Sequence, residues 1–345
     1  LSKPVPSLGA LQAAPGCCMS EDTQVSELGL DANATPWIGP GGVVMERLEL
    51  HLTYTCPERC VFCSEAHRME TYKPFAVTWG RVATILRTHA ERGVKAVHLT
   101  GGEPTIHPRF IDVLKLAQKL GMRTSVGTIG TMLSRTEFAD AALPYLDEAL
   151  FSIHGPTAEL HDAITGRDGS FKQVTTAMRN AVNHRADFGA FVNTVVTQAN
   201  VDALPDTVDL AQSLGAKLIV ISNTTPEGHG EDRYRTLAVP LEKLHAILPL
   251  APERAGSAIV RFFGVPMCLL GEHGTHSNDL HWDPRVTVEW QQDPGRVAFT
   301  GIYSWAPDRR RVHVDACLDC KLNGVCSGVF DNYAKLWPTD ALRPQ

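Results

Sequence analysis

From Met45 onward the chain repeats one unit: an apolar strand, then an amphipathic helix that a glycine stops. No other feature narrows the fold as much. Arg47–Thr53 alternates as a strand, with Leu48, Leu50 and Leu52 on one face. Thr78 is placed to cap a helix carrying Val82, Ile85, Leu86 and His89 on one side, which Gly93 ends. Lys95–Thr100 reads as the second strand. Pro108–Leu120 reads as a helix stopped by Gly121, and Arg123–Thr128 as the third strand. Ser134 with Glu137, and Ser170 with Gln173, have capping-box spacing for the third and fourth helices. Glu148–His154, Phe191–Thr197 and Lys217–Ser222 complete the strands, with a helix over Val201–Leu214 before the last.

Strands alternating with helices require a parallel sheet and right-handed crossovers. Eight such units close a full barrel. Six predict an α/β fold of the open kind, a partial (β/α)6 TIM-like barrel over residues 45–257. Residues 1–44 are rich in Pro, Gly, Ala and Ser without a lasting period, which predicts a flexible leader. Near residue 258 the rhythm ends. Aromatic and turn residues follow, with the last four cysteines, so residues 258–345 are expected to form a separate small module.

Composition removes several function classes. The net charge is −6 and no basic block stands out, which argues against a nucleic-acid partner. No apolar run reaches the roughly 18–20 residues that span a bilayer. The first residues lack a secretory-signal pattern, so a cytoplasmic protein is expected. In a reducing compartment, nine cysteines point to metal sites before disulfides. Cys17 and Cys18 are adjacent, cannot easily ligate one metal together, and read as incidental.

The segment Cys56-Pro-Glu-Arg-Cys60-Val-Phe-Cys63 follows the first strand directly. It therefore sits in a loop at the C-terminal end of a parallel strand, where such folds place their chemistry. Three thiolates on one short loop can wrap three corners of a cubane iron–sulfur cluster and leave the fourth iron without a protein ligand. Zinc is the alternative. A structural zinc site needs four ligands, and His51 or His67 could supply the fourth.

The triplet resembles the signature of the radical S-adenosylmethionine (SAM) superfamily. Leu99-Thr-Gly-Gly-Glu-Pro-Thr-Ile-His-Pro108 resembles that family's Gly-Gly-Glu-Pro segment after the second strand. The resemblance implies that Cys56, Cys60 and Cys63 hold a [4Fe-4S] cluster that cleaves SAM reductively. The resulting 5′-deoxyadenosyl radical would abstract hydrogen from an organic substrate. By the same resemblance Gly101 and Gly102 let backbone approach SAM, Glu103 accepts from its amino group, and Phe62 packs on its adenine. Thr128 stands in a Thr-Asn-Gly slot whose Asn is here Ile129. Ser152 contacts the methionyl carboxylate and Asn193 the ribose.

A second set, Cys317-Leu-Asp-Cys320 followed by Cys326, with Cys268 upstream, resembles the auxiliary-cluster extensions called SPASM and twitch domains. This implies a second [4Fe-4S] cluster. A full SPASM pattern has a further cysteine where this chain has Phe330, so one auxiliary cluster is expected. Four ligands would close it and suit it to electron transfer. Without Cys268 an iron would be open, and a zinc knuckle on the same four thiolates is the remaining alternative. His98, His107, His154 and His161 lie near strand ends as candidate proton donors. Tyr72, Tyr303 and Trp305 are candidate pocket aromatics. Asp308–Arg311 is either a solvated turn or an anion contact.

The expected function is radical SAM oxidation or rearrangement of a small metabolite such as an amino sugar or nucleotide. A 44-residue leader is too short for the winged-helix domain that peptide maturases often carry. The alternative is maturation of a ribosomally synthesised peptide by cross-link, thioether or epimerisation. A non-catalytic two-cluster electron carrier is a third reading, and Gly101–Pro104 argues against it. A reductant such as flavodoxin or ferredoxin is the expected partner besides the substrate.

Overall fold

The computed structural model describes residues 36–345 except Pro294, so most of the leader, with Cys17 and Cys18, lies outside the described residues. The strands come first in the argument because they carry the site. β1 (Arg47–Thr53), β2 (Ala96–Gly101), β3 (Arg123–Thr128), β4 (Glu148–Ser152), β5 (Gly189–Val196) and β6 (Leu218–Asn223) all form where the alternation places them. Each pairs in parallel with the next. The helices between them are α1 (Ala66–Tyr72), α2 (Trp79–Glu91), α3 (Phe110–Lys119), α4 (Thr136–Ala142), α5 (Ala158–Thr165), α6 (Ser170–His184) and α7 (Leu204–Ser213). The partial α/β barrel is the observed architecture.

Three strands lie beyond the expectation. β7 (Ile259–Phe263) continues the parallel sheet on β6. β8 (Arg285–Asp293) returns to lie parallel to β1, and β9 (Arg296–Ser304) folds back on it as a hairpin. The sheet order is therefore β7-β6-β5-β4-β3-β2-β1-β8-β9. Residue 258 does not end the sheet. The rhythm stops there because three short 3-10 turns, Met267–Leu269, Gly271–His276 and Asn278–His281, replace the next helix. After β9 a two-stranded pair, β10 (Arg311–Val312) and β11 (Val329–Phe330), and the helix Asp331–Leu336 form the remainder.

Side-chain alternation divides the sheet into a dry and a wet face. Leu48, Leu50 and Leu52 are fully buried, as are Val97 and Leu99 of β2 and Ala190 and Val192 of β5. Burying one such Leu or Val stabilises by about 1.5–3 kcal/mol relative to exposure. The intervening residues, Glu49 and His51 on β1, Ser152 on β4 and Asn193 on β5, face the other way and carry polar chemistry into the barrel.

Helix starts partly follow the sequence signals. Thr78 accepts from Arg81 N–H (3.4 Å) and caps α2 as expected. The two capping boxes do not form. Ser134 donates to the Thr131 carbonyl at 3.0 Å. Gly169, in the left-handed region at φ 80°, occupies the cap of α6, while the Ser170 hydroxyl donates to Glu58 in the cysteine loop. Among the described residues no helix is long and apolar enough to cross a membrane.

β8 is fixed to β1 electrostatically as well as by its ladder: Arg285 Nη1 donates to Glu49 Oε2 at 3.1 Å. Burial raises the Glu49 pKa, but Arg285, His98, Arg47 and His51 outweigh it and bring the carboxyl from 4.5 to about 2. A depressed folded-state pKa gives stability that is complete above about 4.5 and is lost as pH falls toward 2. Glu49→Gln should therefore lower the unfolding free energy at pH 7 by about 1–2 kcal/mol. The gap between variant and wild type in urea titrations should close as the pH is taken from 4.5 toward 2.

Candidate active site

The loop leaving β1 is held from every side by backbone. Gly102 N–H donates to the Thr53 carbonyl (2.7 Å) and Glu103 N–H to the Thr55 carbonyl (2.9 Å), so the end of β2 lies directly against the loop. A Cβ at position 102 would collide with that Thr55 carbonyl, and Gly101 sits at φ +107°. Glycine is required here for backbone to meet backbone. On the other side Arg59 N–H donates to Thr165 O (2.8 Å) and Val61 N–H to Ile164 O (3.0 Å), both at the end of α5. His229 N–H donates to Cys63 O (2.9 Å). Tyr54 Oη accepts from Trp290 N–H of β8 (2.7 Å).

The three thiols in this loop are free and half-buried. Burial pushes Cys56 up to about 12 and Cys63 to about 11. Cys60 is also raised, by burial and by the carboxylate of Glu58, whose Oε2 accepts from its sulfur at 3.4 Å. Three thiols that resist ionisation together become stable thiolates only against a cation. A metal centre deprotonates coordinating thiols outright, so the donor set fits one.

Cys60, Phe62, Cys63, Gly101, Gly102, Glu103, Thr128, Ser152 and Asn193 line one cleft of about 270 Å³. Cys56 stands at the start of the same loop, outside that lining. Ser152 and Asn193 are register partners on β4 and β5. Asn193 Oδ1 accepts from Ser222 (2.7 Å), which leaves its amide N–H groups free to donate.

Glu103 lines the cleft and is held by the protein's own donors. It is fully buried. Oε1 accepts from Thr105 N–H (3.2 Å), from the Thr105 hydroxyl and from the Thr128 hydroxyl (2.7 Å); Oε2 accepts from Ile129 N–H (2.8 Å). Thr128 is occupied in turn, since its oxygen accepts from Gly130 N–H (2.9 Å). Both residues brace the cleft. The substitution of Ile129 for Asn costs nothing to this brace, because position 129 contributes its backbone.

Of the four histidines singled out, His98 and His154 line the cleft. His98 Nδ1 lies 2.9 Å from Ser125 Oγ. His107 is tied to the Val77 carbonyl (3.0 Å) and to Arg109 N–H (3.2 Å). His161 lies behind His154, stacked on it at 5.7 Å. Tyr72, Tyr303 and Trp305 do not line the cleft. Tyr72 packs edge-on to Tyr54, Tyr303 meets Trp37, and Trp305 covers Gly39. The cysteine spacing gave no sign of Ser170 and His229, because they reach the loop through the fold rather than through the motif.

With this geometry, comparison with known proteins is decisive. Residues 50–211 match the model of the radical SAM superfamily. The chain belongs to the radical SAM superfamily. That family uses a [4Fe-4S] cluster and SAM, and its members are enzymes. The chain is 31% identical over 176 residues to the PqqA peptide cyclase of Rhodopseudomonas palustris, covering 50% of this chain and 45% of that protein. It is 28% identical over 198 residues to the AdoMet-dependent heme synthase of Methanosarcina barkeri, covering 56% and 54%. It thus spans about half the length of these curated relatives. Streptococcus suis SuiB bound to the precursor peptide SuiA has the same fold, at TM-score 0.61 and 14% identity over 87% of this chain and 76% of that one.

In this radical SAM chain the second cysteine set also comes together. Cys268, Cys317, Cys320 and Cys326 line one small cavity of about 20 Å³ with Pro266 and His313. Backbone N–H groups point at two of the sulfurs: Met267 and Gly328 each donate to Cys326 Sγ at 3.4 Å, and Gln345 to Cys320 Sγ at 3.5 Å. Such N–H···S contacts are what tune iron–sulfur centres. Phe330, at the position of the missing cysteine, is buried in β11 under Arg311. The Asp308–Arg311 run is an internal carboxylate clamp. Arg309 pairs with Glu227 (2.8 Å), Arg310 with Glu231 and Asp331 (3.1 Å each), and Arg311 with buried Asp279 (3.5 Å).

Both oxygens of Glu103 accept, so Glu103→Gln sets an amide N–H₂ against at least one donor in a buried site. It should lower the denaturation midpoint of apo-protein by an amount worth about 2–3 kcal/mol, measured in urea and independent of any activity assay.

Proposed function

We propose that Cys56, Cys60 and Cys63 hold a SAM-cleaving [4Fe-4S] cluster, and that Cys268, Cys317, Cys320 and Cys326 hold a second, auxiliary one. The observation that carries the reading is the sharing of one cleft by two of the three loop thiols, the Gly101–Glu103 turn, Ser152 and Asn193. Reduced, the first cluster would supply the electron that splits SAM into methionine and a 5′-deoxyadenosyl radical, which takes hydrogen from substrate. The chain's own residues do the positioning. The Phe62 ring forms an apolar wall for adenine. Ser152 and the Asn193 amide offer hydrogen bonds to the methionyl carboxylate and the ribose. Glu103 and Thr128 keep the β2 and β3 ends rigid beneath them. A flavodoxin or ferredoxin would deliver the electron.

A peptide is the substrate class best supported. A relative named as a peptide cyclase and a structural neighbour holding a precursor peptide both favour it over a small metabolite. The auxiliary cluster, with four thiolates, would accept the electron left on the substrate radical, so that the peptide is oxidised by a hydrogen pair.

Anaerobic reconstitution should give about eight irons per chain, two cubanes. Replacing Cys56, Cys60 and Cys63 by Ala should halve that number and abolish 5′-deoxyadenosine formation with dithionite. Replacing Cys317 and Cys320 by Ala should also halve it, yet leave 5′-deoxyadenosine forming while the peptide product disappears. Four irons and one zinc in the wild type would refute the second cluster. The peptide reading is checked by incubating the enzyme with the product of a small open reading frame beside its gene. Mass spectrometry should show a peptide lighter by two hydrogens.

A further inference from the structure

His154 is a histidine whose protonation is fixed by backbone. It follows β4 in the segment Phe151-Ser-Ile-His-Gly155 and is 2% exposed. Val195 N–H donates to its Nδ1 at 3.2 Å. An imidazole nitrogen that accepts a hydrogen bond carries no proton, so the ring is neutral with its single N–H on Nε2. The rest of the residue is bolted down. Its own backbone N–H donates to His161 Nδ1 (3.1 Å), and its carbonyl accepts from Asn200 Nδ2 (2.9 Å). The same logic runs one step further. His161 Nδ1 accepts, so its N–H is on Nε2, which faces Ser170 Oγ at 3.2 Å, and Ser170 donates to Glu58. Burial, with the neighbouring His161, holds the His154 pKa well below the usual imidazole range.

No described residue accepts from His154 Nε2, and Nε2 is not among the sealed, unpartnered buried atoms. It is the end of the ring open to the cleft that His154 lines. The ring also meets Phe62 edge-to-face, with centroids 4.7 Å apart. A rigid donor thus stands beside the aromatic ring assigned to adenine, in a wall where Leu150 and Val195 offer no competing side-chain polar group.

We propose that His154 Nε2–H donates to a ring nitrogen of the SAM adenine. Adenine presents acceptors at N1, N3 and N7, and a fixed neutral donor selects for a heterocycle with an acceptor at that edge. The inference rests on the SAM reading of the cleft. His154 would be a positioning and specificity residue for the cofactor, acting on SAM affinity rather than on radical formation.

The test uses the reconstituted full chain and calorimetric SAM binding. His154→Phe keeps the ring packing against Phe62 and removes the donor. It should raise the Kd for SAM about tenfold, the effect of one lost hydrogen bond. Iron content should stay near wild type. Three SAM analogues with C–H in place of adenine N1, N3 or N7 complete the cycle. One of them should weaken wild type by the same factor and cost His154→Phe nothing further. His154→Gln, whose amide N–H reaches toward the same point, should recover part of the lost affinity. Unchanged SAM affinity in His154→Phe of wild-type iron content, or losses that simply multiply for all three analogues, would overturn the assignment. Failure of the wild type itself to bind SAM would instead overturn the reading on which it rests.

Discussion

A carboxylate closed off from water is tolerable only when its oxygens are filled with donors. Glu103 is such a group, and the mouth of the barrel is arranged around filling it. Thr105 comes from its own turn, and Thr128 and Ile129 from the end of the next strand. The backbone of the same residue donates to Thr55 in the cysteine loop. One buried residue therefore joins β2, β3 and the thiol-bearing loop into a single rigid rim. The glycines before it serve that end, because only residues without a Cβ let the two backbones approach so closely.

The parts of the fold legible in the sequence are those specified by local pattern. Six strands announce themselves by apolar alternation, and α2, α3 and α7 by an apolar stripe and a glycine stop. What was not legible depends on partners distant in sequence. β8 gains its meaning only by lying beside β1, and the strand pattern of 285–304 gives no hint of that neighbour. Ser170 shows the same limit at the scale of one residue. Its spacing to Gln173 is that of a capping box, yet its hydroxyl serves Glu58, which is 112 residues earlier. For the site, the motif residues lie together around one cleft, as local spacing and strand register allow. The protein's own donors to Glu103 and Thr128 were not legible, because they come from the Thr105 turn and the end of β3.

The C-terminal part shows how a cysteine-bearing segment is fastened to a barrel by ion pairs in addition to apolar contact. Three successive arginines each take a carboxylate on a different element: the loop after β6, the terminal helix and the turn before β8. The Arg311–Asp279 pair is 1% exposed on both sides and also receives Ser327 N–H, one residue past Cys326. A charge pair at that depth is costly to break, since either partner alone would be left buried and unpaired. The auxiliary cysteines are thereby held in register with the sheet.

The pairing of β1 with β8 also sets an order of events. Trp290 N–H reaches Tyr54 across 236 residues, as Arg285 reaches Glu49. Contacts of such separation form late, because the chain between them must first give up its freedom. On a ribosome, β1 waits with one flank bare until β8 has emerged. The cysteine loop beside it stays open on that side for the same interval. The wall beside the thiol-bearing loop is thus complete only once the hairpin has arrived.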